Sequence, residues 1–297
     1  MNVAELRSFR YHENTEKPQR FLWSAWNSVW GMLLNLEILR ELDRDTGHGR
    51  GRMSHGQTDL LLAAITFTGA GLDATLKELI KEALPTVLEK SSVAQEQFRD
   101  FVERHLAGEP SAIPRKLSSL LTVADARKAL IDRYVAELTG DSLQSSDQLL
   151  KSARSLGIAQ AHLIANKAQL NQFFRARNEI VHELDLQHTT KPGDSSRRSR
   201  KLGATVADCD LIFRTAQAFI DDVALLLDPQ APLTTVKVPA ATAEPPRKGR
   251  AAASSPKTAP DLAKAPLPST VTLEISGVVS GGNGRRRRSK LGGGGGS

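Results

Sequence analysis

Apolar residues recur along this chain at intervals of three and four, the spacing that gathers them on one face of an α-helix, and seldom in the strict alternation of a half-buried strand. A first segment, 18–45, carries Trp23, Trp26, Trp30, Leu33, Leu34, Ile38 and Leu42 in this rhythm, with Pro18 tolerated in its opening turn. The tryptophan stripe is expected to lie in the core or at a dimer interface, although such rings can also stack on bases. A second segment covers 57–83, with Pro85 marking a break or kink, and a third covers 91–106. Residues 107–121 hold Gly108, Pro110 and Pro114 and read as a loop. Further helices are expected at 122–138, 146–155, 159–184 and 205–227, the last closed by Asp228-Pro229. The 159–184 helix is expected to be central, burying Leu163, Ile164, Leu170, Phe173, Phe174, Ile180 and Val181 around most of its circumference.

The pattern predicts an all-α helical bundle of six to seven helices over residues 16–228, preceded by a flexible lead-in at 1–15. Beyond residue 228 nine of the fourteen prolines occur among Ala, Ser, Thr and Lys, so the 229–297 tail is expected to be disordered. Within it, Val271 to Val279 form a short β-like run, Arg285 to Arg288 with Lys290 form a basic cluster, and Gly292 to Gly296 resemble a flexible linker. Between the first two helices, Gly47 to Arg52 hold one histidine and two arginines on a glycine-rich loop that matches no phosphate-binding motif.

Charge changes this picture only once it is divided. The tail carries eleven of the 40 Lys and Arg and three of the 33 Asp and Glu, so the helical part is left with 29 against 30. A broad basic footprint for nucleic acid is therefore missing from the bundle, and any RNA contact there must come from local clusters or a dimer cleft. No uninterrupted apolar run reaches the length of a bilayer span and no basic-then-apolar leader opens the chain, so a cytoplasmic protein without membrane contact is expected. The lone Cys209 excludes an intramolecular disulfide and a cysteine-cluster zinc site, and reads as a small core residue. Dinucleotide loops, triphosphate loops and nucleophile elbows are absent from the sequence, so no cofactor and no metal is expected.

The stretch with most chemistry is Arg175-Ala-Arg177-Asn178-Glu179-Ile180-Val181-His182-Glu183. On a helix Asn178 and His182 share a face, and Arg177 lies one position round and about 7.5 Å along the axis from His182. A histidine can exchange a proton with a ribose oxygen near neutral pH, a guanidinium can hold phosphate oxygens by paired hydrogen bonds, and an amide can orient either. An equally available reading is a surface helix end, where cations complement the macrodipole and Glu179 or Glu183 neutralises Arg175 or Arg177. Downstream, Arg197 and Arg198 belong to a basic stretch that either holds an RNA strand beside His182 or forms a solvated loop.

The run from Arg177 to His182, an arginine and a polar residue followed after a gap by a histidine, resembles the signature of the HEPN family, and the apolar helix from Gln57 to Ile80 is more loosely similar to that family's toxin-like and ribosome-linked branches. The resemblance implies a metal-independent endoribonuclease acting as a homodimer, in which a ribose 2′-hydroxyl attacks the adjacent phosphate and leaves a cyclic phosphate. It implies His182 as general acid or base, Arg177 as the charge stabiliser and Asn178 as the orienting group, with Arg175, Arg197 and Arg198 as RNA contacts. A place in toxin–antitoxin or phage-defence systems, with an antitoxin or inhibitory protein partner, is implied in the same way. Two alternatives stand beside it: a non-catalytic helical module that binds a partner, nucleotide or RNA, and an RNA binder whose affinity lies in the tail.

Overall fold

The computed structural model describes residues 6, 8–46, 53–106, 122, 124–187 and 196–235. It is an all-α bundle with one small ribbon. In chain order the elements are β1 (Ser8–Arg10), α1 (Glu13–Asp45), α2 (His55–Lys90), α3 (Ser92–Leu106), α4 (Ala126–Gly140), α5 (Ser146–Ser155), α6 (Ala161–Ala165), α7 (Lys167–Glu183), α8 (Leu202–Leu227) and β2 (Leu233–Thr235). The expected readings of the glycine-rich 47–52 loop, of the 107–121 loop and of the tail from residue 236 onward, including Val271 to Val279 and Arg285 to Arg288, lie outside the described residues.

The first helix pairs with the second as an antiparallel hairpin because their apolar positions mesh. Thr15, Pro18, Leu22, Trp26, Val29, Leu33 and Leu36 are buried on α1, a repeat of three and four that keeps one seam facing a partner helix. That seam does not follow the tryptophan stripe. Only Trp26 is fully on it; Trp30 stacks on Trp26 at 6.1 Å from its flank, and Leu34, Ile38 and Leu42, expected inside, are exposed.

Helix α2 is the centre of the fold, in place of the motif helix. It contacts α1, α8, α7, α4 and α3, and Leu61, Ala64, Leu72, Leu76, Leu79, Ile80, Ala83, Leu84 and Val87 are wholly buried on it. Ser54 and Gln57 close its N-terminus with a reciprocal capping box. Pro85 sits inside this helix, and the chain continues helically to Lys90 through it, because α2 is enclosed by neighbours that hold the backbone on course. One 18-residue window of α2 is long and apolar enough, by length and composition, to cross a membrane, and 56% of it is buried inside the fold.

Helices α1 and α2 approach closely at Gly71, where an added Cβ would collide with the Ala25 Cβ. Helix propensity alone favours Gly71→Ala by about 1 kcal/mol, but overfilling a rigid crossing costs about 3 kcal/mol, so the overlap wins. We expect Gly71→Ala to lose about 2 kcal/mol of stability in urea unfolding. Gly157, at φ +65° after α5, is the other position with a backbone reason for glycine, since the left-handed region excludes most side chains.

Three boundaries depart from expectation. The described part of the lead-in is folded: Phe9 is wholly buried, β1 pairs antiparallel with β2 in the register Ser8 to Thr235, and α1 begins at Glu13, capped by His12. The fold also extends past residue 228, because Ala231 is buried and the Pro232 carbonyl accepts from the Tyr11 N–H. The helix expected at 159–184 breaks at Asn166, whose side-chain amide donates back to the His162 carbonyl at 2.8 Å and ends a five-residue helix before α7 begins. This break brings the helices among the described residues to eight, against the six to seven expected.

Asp221 on α8 fastens the ribbon by accepting from the Arg10 N–H at 2.6 Å. Burial pushes its carboxyl up to about 6. The folded state therefore holds this proton more tightly than the unfolded chain, and the contribution of Asp221 to stability falls as pH rises from about 4 to about 6. Asp221→Asn retains an acceptor and removes the charge. Compared with wild type by urea unfolding, it is expected to gain about 1 kcal/mol between pH 4 and pH 7, a figure discounted for partial exposure.

Candidate functional site

The residues flanking the Arg-to-His segment are arranged by how α7 ends. Leu170, Phe173 and Phe174 bury one side of the helix, while Ile164 and Val181, expected in the core, are exposed. At the C-terminus Leu184 and Asp185 both take left-handed backbone, φ 52° and 59°, a conformation that residues other than glycine, asparagine and aspartate enter reluctantly, leucine among them. Something must hold them there. The Asp185 N–H donates to the Glu179 carbonyl at 3.1 Å, and the wholly buried Asp185 carboxylate takes a forked pair of hydrogen bonds from Arg200.

The chain then returns alongside itself. Leu186 and Arg197 form an antiparallel bridge, Gln187 N–H donates to the Ser196 carbonyl at 2.8 Å, and Arg198 N–H donates to the Asp185 carbonyl at 2.9 Å. These bonds place Arg197 and Arg198 beside the end of α7.

An open groove of about 580 Å³ lies over this corner, lined by Asn171, Phe174, Arg175, Asn178, Glu179, His182, Glu183 and Arg198, with Gln144 and Ser145 at its other side. Of the six predicted residues, the groove gathers Arg175, Asn178, His182 and Arg198. His182 is exposed, facing the groove and not the core. Residues 175, 178 and 182 share a face because seven residues make nearly two turns. Gln144 and Ser145 went unnoticed in the sequence; Ser145 caps α5, so a helix N-terminus borders the groove. Only the cap signature of Ser145 before an amphipathic run hinted at this.

Arg177 is placed differently. It stands off the groove on the α2 side of the helix, half-buried, and its Cγ would meet a Cβ on Gly69 at 3.3 Å. Its Nη1 donates to the Asn178 side-chain oxygen at 3.2 Å, and its buried Nε finds no acceptor. Five residues from His182 amount to about 140° of rotation, so the two side chains diverge, and Arg177, expected one position round and about 7.5 Å along the axis, does not line the groove that holds His182. Arg197 also lies outside this groove, paired to Asp59 on α2; with Gln187, Arg198 and Ser199 it lines an adjoining hollow of about 430 Å³.

Electrostatically the corner is balanced. Glu179 receives Arg175 at 3.3 Å and Arg200 at 3.2 Å, and Glu183 receives Arg198 at 2.7 Å, which holds the Arg198 guanidinium above its usual pKa. Three arginines, 175, 198 and 200, thus face three carboxylates, 179, 183 and 185. The expectation that Glu179 or Glu183 would pair with Arg177 is not met, because both point to the groove side. Cys209 is wholly buried on α8 and burial pushes its thiol up to about 12, so it is a core residue without nucleophilic character.

Among the described residues, no three His, Cys, Asp or Glu side chains are grouped so as to hold a metal ion. The groove offers one imidazole, three side-chain amides and two guanidinium groups beside two carboxylates around an open space, a set that includes the groups needed to move a proton beside a bound anion. No family model matches the chain, and no curated protein or solved structure matches it significantly.

Proposed function

We propose that this protein is a metal-independent endoribonuclease of HEPN type that works as a cytoplasmic homodimer. The observation that carries the reading is the exposed His182 sharing one open groove with Asn178, Arg175 and Arg198. In this scheme His182 takes the proton from a ribose 2′-hydroxyl or gives one to the departing 5′-oxygen. The attacking 2′-oxygen bonds to phosphorus, the bond to the 5′-oxygen breaks, and a 2′,3′-cyclic phosphate remains. Arg175 and Arg198 hold the phosphate oxygens, and Asn178 orients the ring or the ligand.

Arg177 would act through Asn178 within its own chain, or at a cleft completed by a second copy, where its unpaired Nε meets an acceptor. An RNA substrate, a second copy of the chain and an antitoxin or inhibitory protein are the partners of this proposal. End-labelled tRNA and total RNA incubated with the full chain in EDTA should yield cyclic-phosphate ends; uncut RNA would count against the reading.

A second reading, a non-catalytic module that binds RNA, a nucleotide or a partner protein, is favoured by one observation. The groove's arginines are already neutralised by Glu179 and Glu183, as on an ordinary helix surface.

A further inference from the structure

Arg198 is the one arginine that lines both hollows at this corner, the groove with His182 and the adjoining space formed with Gln187, Arg197 and Ser199. A backbone that ran from one to the other would pass its guanidinium. Yet that guanidinium is occupied: it donates to a Glu183 oxygen at 2.7 Å and lies 3.8 Å from a Glu179 oxygen, while its Nη1 is buried with no acceptor. A carboxylate and a phosphodiester present the same pair of anionic oxygens to an arginine fork. Glu183 is half-exposed at the groove's edge and makes no other ion pair among the described residues, so it can swing into water without unsettling the fold. Glu179 cannot, because it also holds Arg200 and Arg175.

We infer that Glu183 is a built-in stand-in for a phosphodiester: it occupies Arg198 in the free protein, and a single-stranded RNA binds by displacing it. The exchange makes Glu183 a specificity-determining residue. A lone anion gains little by replacing a tethered carboxylate, whereas a strand that fills both hollows recovers the displaced contact and adds others. The inference rests on the ribonuclease reading for the identity of the ligand, though not on catalysis.

The test uses the full chain and a short oligoribonucleotide with 2′-O-methyl sugars, which cannot be cut, so that binding is read apart from cleavage. Glu183→Gln should bind it about 3- to 10-fold more tightly than wild type at low salt. Freeing one cation should also steepen the dependence of log K on log salt by about 0.7. Adding Arg198→Ala to Glu183→Gln should erase both changes. Thermal unfolding of each variant confirms that the fold is kept.

An unchanged affinity in Glu183→Gln, an absence of binding in either protein, or a gain that persists without Arg198 overturns the inference. Failure of wild-type protein to cut unmodified RNA, with the affinity gain intact, overturns the nuclease reading alone.

Discussion

His182→Ala protein should leave RNA intact in EDTA, with a cleavage rate about 10²- to 10⁴-fold below wild type, the range that a positioned acid or base contributes. The side chain is exposed at the groove, so its truncation opens no cavity and the melting temperature should hold within about 1 °C. Catalysis and folding are thereby separated in one variant. Asn178→Ala should lower the rate less, because the amide orients and does not itself transfer the proton. A His182→Ala protein that cuts as well as wild type would turn the groove into a binding surface and hand the lead to the interaction-module reading.

The largest expected loss of stability lies three residues further on. Asp185→Ala removes a wholly buried carboxylate and leaves Arg200, with only 15% of its side chain exposed, facing Glu179 and the Ala176 carbonyl without its forked partner. Breaking one side of such a pair costs about 3–5 kcal/mol, far more than a surface pair contributes, because the remaining charge stays desolvated. Alanine also enters left-handed backbone less readily than aspartate. A chain with a fold of this size should melt about 6–20 °C lower. Asp185→Asn retains the tolerance for left-handed backbone and one acceptor, so it isolates the charge and should fall between the two. A melting temperature unchanged in Asp185→Ala would show that the Arg200 fork is not what holds the end of α7.

The helices were legible because burial and periodicity agree along most of the chain: α5 falls at the predicted residues, and α3 and α8 end where their apolar rhythm ends. Legibility failed where the local signal was contradicted by neighbours. Pro85 would break an isolated helix, but α2 is held on most sides by other helices, and tertiary contact overrode propensity. Leu34, Ile38 and Leu42 keep a helical spacing and still face outward, since they lie to one side of the seam at Leu33 and Leu36, and spacing alone does not say which face meets the partner helix.

The site was half visible. Spacing along α7 correctly joined Asn178 to His182, and Arg175, expected only as an RNA contact, shares their face because it stands seven residues from His182. Arg177 diverged because adjacent residues on a helix are separated by about 100°, and a short motif quoted as a string hides that rotation. Nothing in the sequence pointed to the Arg200 fork on Asp185, because a contact across fifteen residues depends on the turn that Leu184 and Asp185 make.

The β1 and β2 ribbon has a mechanical consequence. Its register pairs Ser8 with Thr235, so both ends of the folded unit leave from the same end of an antiparallel pair. A pull applied between the two flanks, by a tethered bead or by a degradation motor, loads that pair once Leu6, buried just before β1, has been drawn out. The ladder bonds then break in succession, as a zipper opens, and not together in shear. The ribbon is the fuse of the fold under tension: it should yield at low force and bare Phe9 before the long helices carry any load.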